Sequence, residues 1–183
     1  KNMMDYDDLL VNTLHMLHND TIRNQISDTY RYIMVDEYQD TNASQHELLS
    51  LLVSPEHNIC VVGDDDQSIY RFRGATIENI LQFENRYSDA VVIRLEQNYR
   101  STQNILDAAN AVISNNSERK GKNLWTANGA GEKVDCRTVN DETGEAKYIV
   151  KKISEEYDRG RKRKLSDFAI LYRMNAMSSP IEQ

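Results

Sequence analysis

A chain of 183 residues, 39% hydrophobic and 28% charged, is long enough to bury a core without a disulfide or metal staple, as one large domain or two small ones. Its formal net charge of −7 excludes a generic polyanion binder with a basic surface, so any nucleic-acid contact has to be local. No apolar run reaches the roughly 18 residues of a membrane span, and Lys1-Asn2-Met3-Met4 does not open a signal peptide, so the expectation is a soluble, cytoplasmic protein.

Asp5 to Asn19 carries Leu9, Leu10, Leu14 and Leu17 at helical spacing behind acidic residues that suit a helix N-terminus, which predicts a helix. Tyr32-Ile33-Met34-Val35 is a short apolar run halted by Asp36-Glu37, as a buried strand ends at the edge of a parallel sheet. Asn42 to Val53 reads as a helix and Asn58 to Val62 as a second strand ending at Gly63. Thr76 to Tyr87 reads as a helix with Ile77, Ile80, Leu81 and Phe83 on one face, and Ala90 to Leu95 as a third strand. This alternation predicts an α/β fold with parallel strands and right-handed crossovers.

Ser101 or Thr102 can cap a helix running through Ile113, and Gly121 to Gly131 reads as a loop around Trp125. Lys133 to Val139 and Phe168 to Tyr172 read as strands on either side of an amphipathic helix from Glu142 to Tyr157. The expected division falls between residues 96 and 97. Cys60 and Cys136 lie in apolar segments and read as small buried hydrophobes of a reducing compartment. The basic run Arg159-Gly160-Arg161-Lys162-Arg163-Lys164 reads as a solvated loop.

In open parallel sheets, ligands sit beyond the carboxyl ends of the strands, so the residues after Val35 and after Val62 should share a crevice, and both sets are acidic. Asp36 can hold Mg²⁺ there and Glu37 can deprotonate an attacking water, although an Asp at a strand tip is commonly just a turn starter. His15 and His18 stand three apart on the first helix without further ligands at zinc-like spacing. His46 and His57 read as surface residues.

Three strings occur in order: Asp36-Glu37-Tyr38-Gln39-Asp40; Gly63-Asp64-Asp65-Asp66-Gln67-Ser68-Ile69-Tyr70-Arg71-Phe72-Arg73-Gly74-Ala75; and Gln97-Asn98-Tyr99-Arg100-Ser101-Thr102. Together they closely resemble motifs II, III and IV of the UvrD/Rep/PcrA family of superfamily 1 DNA helicases. The resemblance extends to Asp5-Tyr6-Asp7-Asp8-Leu9-Leu10, Leu124-Trp125-Thr126 and Phe168 to Ala176, and so covers essentially the whole chain.

The resemblance implies RecA-like folds, with 1–96 the C-terminal portion of a first, ATP-binding domain and 97–183 the N-terminal portion of a second. It implies that Asp36 is the Mg²⁺ carboxylate and Glu37 the general base of ATP hydrolysis, with Gln67 sensing the γ-phosphate. Tyr99 would stack on adenine and Arg100 would act as an arginine finger. Tyr70, Phe72 and Arg73 would line the path of single-stranded DNA, with Asn175 as a polar position near it. Phe72 stands where many family members carry tryptophan. Of the three aspartates, only Asp64 stands where it could serve near Mg²⁺, and Asp65 and Asp66 read as solvated turn residues.

The departures are equally plain. There is no G-x-x-x-x-G-K-[ST]: Gly129-Ala130-Gly131-Glu132-Lys133 lacks both the spacing and the hydroxyl, and motifs V and VI are missing too. The expectation is therefore an internal segment of an ATP-dependent helicase that works on single-stranded DNA and single/double-strand junctions, with negligible activity of its own. Its rivals are the helicase part of a recombination nuclease-helicase subunit, a two-metal nuclease built on Asp36, Glu37 and Asp64 to Asp66, and a noncatalytic nucleic-acid or partner-binding module.

Overall fold

Two short parallel strands organise the first part of the chain. In the computed structural model, which describes residues 3–54, 56, 58–117, 119–158 and 163–182, β1 (Ile33–Val35) pairs with β2 (Ile59–Val61). Ile33 lies opposite Ile59, Met34 opposite Cys60 and Val35 opposite Val61. The ladder runs past the strands at their carboxyl ends, where Val62 N–H donates to the Val35 carbonyl (2.8 Å) and Tyr38 N–H to the Val62 carbonyl (3.0 Å). Those two bonds bring the acidic segment after β1 alongside Gly63 and Asp64.

Helices flank these strands in the sequence and pack on one another. α1 (Tyr6–Leu17) starts with a reciprocal cap, Asp8 N–H on Asp5 Oδ1 (2.8 Å) and Asp5 N–H on Asp8 Oδ2 (3.1 Å), and buries Leu14 and Leu17. α3 (Ala43–Leu52) begins with the same device between Asn42 and Gln45, and α1 lies against it. Between them α2 (Asp20–Thr29) is capped by the Asn19 side chain; it was not foreseen, because only Ile22 and Ile26 mark an apolar face in a polar segment. The helix expected from Thr76 to Tyr87 breaks at Gln82 into α4 (Glu78–Leu81) and α5 (Phe83–Arg86). Asn79 is tied to the Thr41 carbonyl (3.1 Å), and beyond the break Phe83 packs edge-on against the Tyr38 ring, with centroids 5.8 Å apart.

Ala90 to Leu95 does not form the expected third strand. Val91, Ile93 and Leu95 are 85%, 79% and 78% exposed, and no described segment offers its backbone to them. Pairing resumes only where Gln97 bridges Trp125, with Asn98 N–H on the Trp125 carbonyl (2.7 Å) and Trp125 N–H on the Glu96 carbonyl (3.1 Å). α6 (Gln103–Ile113) follows Thr102 and buries Leu106.

The compact units are Lys1–Lys133 and Val134–Gln183. The first of these units includes residues 97–133, whose segment 119–122 is tied to Asp64 and Asp66 by the ion pairs described below. The second unit consists of α7 (Glu142–Asp158), whose first turn is capped by Asp141 accepting from Gly144 N–H (2.7 Å), and the short α8 (Ser179–Glu182) packed against it. The strands expected at Lys133 to Val139 and Phe168 to Tyr172 are unpaired among the described residues.

The fold is thus mixed helix and strand, with one two-stranded parallel sheet among the described residues. Both cysteines are exposed rather than buried. Cys60 sits opposite Met34 at the middle of the ribbon, on a face that nothing described covers. Residues 159–162 of the basic run, and His57, lie outside the described residues. No described helix is long and apolar enough to cross a membrane.

Candidate functional site

The carboxyl ends of β1 and β2 carry a connected set of polar side chains. Leaving β1, the backbone turns at Glu37, the one non-glycine residue with positive φ among the described residues (φ 50°, ψ 42°). A left-handed glutamate costs on the order of 1–3 kcal/mol and persists only when its surroundings dictate it. Here they do. Glu37 N–H is held by Asp36 Oδ1 (2.9 Å), its carbonyl accepts from Asp40 N–H (2.9 Å), and Tyr38 is anchored on Val62. The turn leaves the Glu37 carboxylate exposed while burying its two successors, Tyr38 and Gln39.

Gln39 joins the two strand tips. Its Nε2 donates to Glu37 Oε2 (2.7 Å) and its Oε1 accepts from Asp64 N–H (3.0 Å). Gly63 makes room for this: a Cβ there would lie 2.7 Å from Gln39 Oε1 and 2.7 Å from Ile80 Cδ1. Asp40 is turned inward with Oδ1 buried and unpartnered, and burial, helped by the Glu37 charge, pushes its carboxyl above the usual range.

The three aspartates after Gly63 are not solvated turn residues. Asp66 accepts two hydrogen bonds from the Arg119 guanidinium, each 2.7 Å, and Asp65 accepts from Lys120 N–H (2.7 Å). Asp64 receives the Lys122 ammonium and Asp66 N–H on Oδ1, and Gln67 Nε2 on Oδ2 (2.7 Å). Burial opposes ionisation of Asp64, but the Lys122 and Gln67 hydrogen bonds outweigh it and hold the carboxyl below its ordinary range. Lys120 also pairs with Glu84. Sequence reasoning missed these cations; the only signal was Arg119-Lys120-Gly121-Lys122 itself, three positive charges to match three negative ones.

The donor set bears on Mg²⁺. Asp36 uses Oδ1 on its neighbour's N–H and stands exposed, which suits a cation that takes one or two carboxylates and fills its remaining positions with water and phosphate. Asp64, expected beside it, has both oxygens committed. Among the described residues no three His, Cys, Asp or Glu side chains gather as a metal site.

Past Gln67 the same loop becomes aromatic. Tyr70 and Phe72 stand with ring centroids 5.9 Å apart, and the Arg73 guanidinium lies over both, 5.2 and 5.5 Å from their centres. Phe72 is 69% exposed, so it is no core aromatic. The turn Arg71–Arg73 closes at Gly74, whose φ of 84° favours glycine, and Thr76 N–H then ties the loop to the Thr41 carbonyl (3.0 Å).

Tyr99 and Arg100 lie on a separate turn, shaped by Asn98 Oδ1 accepting from Arg100 N–H (2.9 Å) and Ser101 N–H (2.7 Å). Tyr99 is exposed, its hydroxyl on Gln97 Oε1 (3.0 Å), and Arg100 is exposed. Asn175 opens a 3₁₀ turn, Asn175–Ser178, in the second unit and is exposed. His46 is not a free surface residue. Its Nδ1 meets Tyr38 Oη (2.7 Å) and its Nε2 meets Arg86 (2.8 Å). His18 pairs with Glu47 at 3.3 Å.

Comparison with known proteins places the same strings in a family. Residues 1–88 match the UvrD/REP helicase N-terminal domain and residues 93–183 the UvrD-like helicase C-terminal domain. An ATP-dependent DNA helicase PcrA of Staphylococcus epidermidis is 50% identical over 182 residues, which is 98% of this chain and 25% of that protein. The protein of the same name from Staphylococcus aureus is 49% identical over 181 residues, 98% of this chain and 24% of the relative. The chain thus spans about a quarter of the length of the curated relatives it matches.

Proposed function

The chain belongs to the UvrD/Rep/PcrA helicase family, and from that premise we propose that it forms part of a motor that hydrolyses ATP and couples the hydrolysis to movement along single-stranded DNA and unwinding at its junctions with duplex. The carrying observation is the loop from Gly63 to Gly74. At one end Asp64 and Gln67 stand beside the Asp36-Glu37 strand tip, and three residues after Gln67 the exposed Tyr70–Phe72–Arg73 platform begins. A polar site for phosphate chemistry and a stacking surface for bases thus share one short segment.

In this reading Glu37, exposed at the end of β1, takes the proton of the attacking water. Gln67, whose amide rests on Asp64, exchanges that carboxylate for the γ-phosphate when nucleotide is present. Asp36 holds Mg²⁺, which would neutralise charge on the phosphates. Tyr99 offers an exposed ring to adenine, and Arg100 an exposed cation to the phosphates. Tyr70 and Phe72 stack on bases, with Arg73 adding charge, and Asn175 offers a further polar contact to DNA.

The proposed architecture is that of two RecA-like domains, with 1–96 in the first and 97–183 in the second. The two matched family segments, 1–88 and 93–183, support this division. The proposed compartment is the cytoplasm.

The test is made on the full-length protein containing this segment: ATP turnover stimulated by single-stranded DNA, and a fall of at least about 100-fold in kcat for Glu37→Gln with ATP still bound. Full turnover in Glu37→Gln would remove Glu37 as the base.

A further inference from the structure

Gln39 has no part in the chemistry above, yet it is 1% exposed and both ends of its amide are engaged. We propose that Gln39 is a positioning residue that couples the orientation of Glu37 to the position of the loop from Asp64 to Gln67. The proposal rests on the reading of Glu37 as the general base.

The polarity of the bridge follows from its partners. Asp64 N–H can only donate, so the Gln39 atom that faces it must be the carbonyl oxygen, and the NH₂ is thereby directed at Glu37. A donor at 2.7 Å fixes one oxygen of the Glu37 carboxylate. The remaining oxygen is the one left to meet a water. Without that bond, an exposed glutamate on a tight turn would sample several rotamers, and misplacement of about 1 Å at a reacting group costs about 100-fold in rate.

The other end of the bridge reaches the sensor. Asp64, whose N–H holds Gln39, also accepts from Gln67 Nε2. The connected path is therefore Glu37–Gln39–Asp64–Gln67, side chain to side chain except for the one Asp64 N–H. When Gln67 leaves Asp64 for a phosphate, Asp64 loses one of the contacts that hold it, and Gln39 carries any resulting shift of its N–H to Glu37.

Gly63 protects the path. Any side chain there would drive Gln39 Oε1 off Asp64 N–H, since a Cβ would stand 2.7 Å away. Asparagine in place of Gln39 would be one methylene short of spanning the tips. Glutamate would fit but set an acceptor against an acceptor at Glu37.

The experiment uses the full-length protein and poly-dT as the single-stranded activator. It compares wild type, Glu37→Gln, Gln39→Glu and the nearly isosteric Gln39→Met. Gln39→Glu, which keeps the length but replaces the NH₂ donor by an acceptor, is expected to lower kcat by about 10- to 100-fold with KM for ATP within about threefold of wild type. Gln39→Met is expected to lower kcat by about 10- to 100-fold with KM for ATP within about threefold of wild type. A role confined to packing would leave the balance between kcat and KM of the folded variants as in wild type.

Folded Gln39→Met or Gln39→Glu with kcat within about twofold of wild type would overturn the proposal. So would failure of both variants to fold, which would assign Gln39 to structure alone. If Glu37→Gln retained wild-type turnover, the reading of the base itself would fall. Loss of turnover in Glu37→Gln with normal Gln39 variants would remove the positioning role and leave that reading intact.

Discussion

Arg119 meets Asp66 fork to fork, Nε on Oδ1 and a terminal nitrogen on Oδ2, both at 2.7 Å, with the two side chains only 15% and 11% exposed. This pair, 53 residues apart in sequence, closes the segment before Leu124-Trp125 onto the loop that carries Gln67. Lys120 N–H on Asp65 and the Lys122 ammonium on Asp64 complete the closure. The acidic triplet is therefore an anchor for a neighbouring strand of chain, and its negative charge is compensated within the unit.

Arg119→Lys is expected to weaken this anchor, since an ammonium cannot reproduce two parallel bonds. Asp66→Ala should do more damage, because it leaves a largely buried guanidinium without its partner. Hydrogen exchange of peptides covering residues 59–67 and 117–125 in the full-length protein should rise for both variants, in the order Asp66→Ala, then Arg119→Lys, then wild type. Equal protection in all three would show that the closure does not depend on this pair.

Asp64 gives the anchor a pH dependence whose sign is determined. Its folded carboxyl titrates below the ordinary value of 3.8, so the unfolded chain binds the proton first as pH falls. The stabilisation is fully present above that ordinary value and is lost as pH drops through the lowered folded value. Asp64→Asn should melt at a lower temperature than wild type at pH 7, and the gap between them should narrow toward pH 3. A gap that stayed constant would mean that the Lys122 and Gln67 contacts do not discriminate the charged form.

Features written in adjacent residues were legible in the sequence. An apolar run stopped by Asp36-Glu37 and another stopped by Gly63-Asp64 announced two parallel strand tips side by side, because strand burial and strand end are local properties of composition. Asn42 to Val53 read as a helix for the same reason. What could not be read was set by distant partners. Arg119 carries no local mark that it belongs to Asp66, and nothing in Thr76 to Tyr87 shows that Thr41 holds Asn79 while Phe83 packs on Tyr38 across a break at Gln82. Ala90 to Leu95 has the composition of a strand, but a strand also needs a neighbour's backbone, which composition cannot supply. The left-handed backbone of Glu37 was equally hidden, since the residue type argues against it.

The platform at Tyr70 and Phe72 predicts the effect of restoring a larger ring. Stacking of an aromatic on a base contributes about 1–3 kcal/mol, and the exposed Phe72 offers less area than tryptophan would. In the full-length protein, Phe72→Trp should tighten binding of single-stranded oligothymidylate by about two- to fivefold, and Phe72→Ala should weaken it by about 1–3 kcal/mol. Fluorescence anisotropy at one fixed salt concentration reads both. Unchanged affinity in Phe72→Ala would exclude the ring from the DNA path.

His46 supplies a second pH dependence, in a different range. Arg86 can only donate, so its bond to Nε2 requires a lone pair there, and the proton of the neutral ring sits on Nδ1 and points at Tyr38 Oη. Protonation would turn Nε2–H against the guanidinium. Burial first, and then the Arg86 charge, lower the folded pKa of His46 from 6.5. The unfolded histidine therefore takes up its proton before the folded one does. Stability is complete above pH 6.5 and falls as pH drops below it toward the lowered value, where the loss levels off. Histidine ¹⁵N spectra should show the Nδ1–H tautomer at pH 7 with a midpoint below 6.5, and Tyr38→Phe, which removes the acceptor for that proton, should cost ~1 kcal/mol. An Nε2–H tautomer, or a midpoint at or above 6.5, would rule out the bond to Arg86 as the element that sets His46.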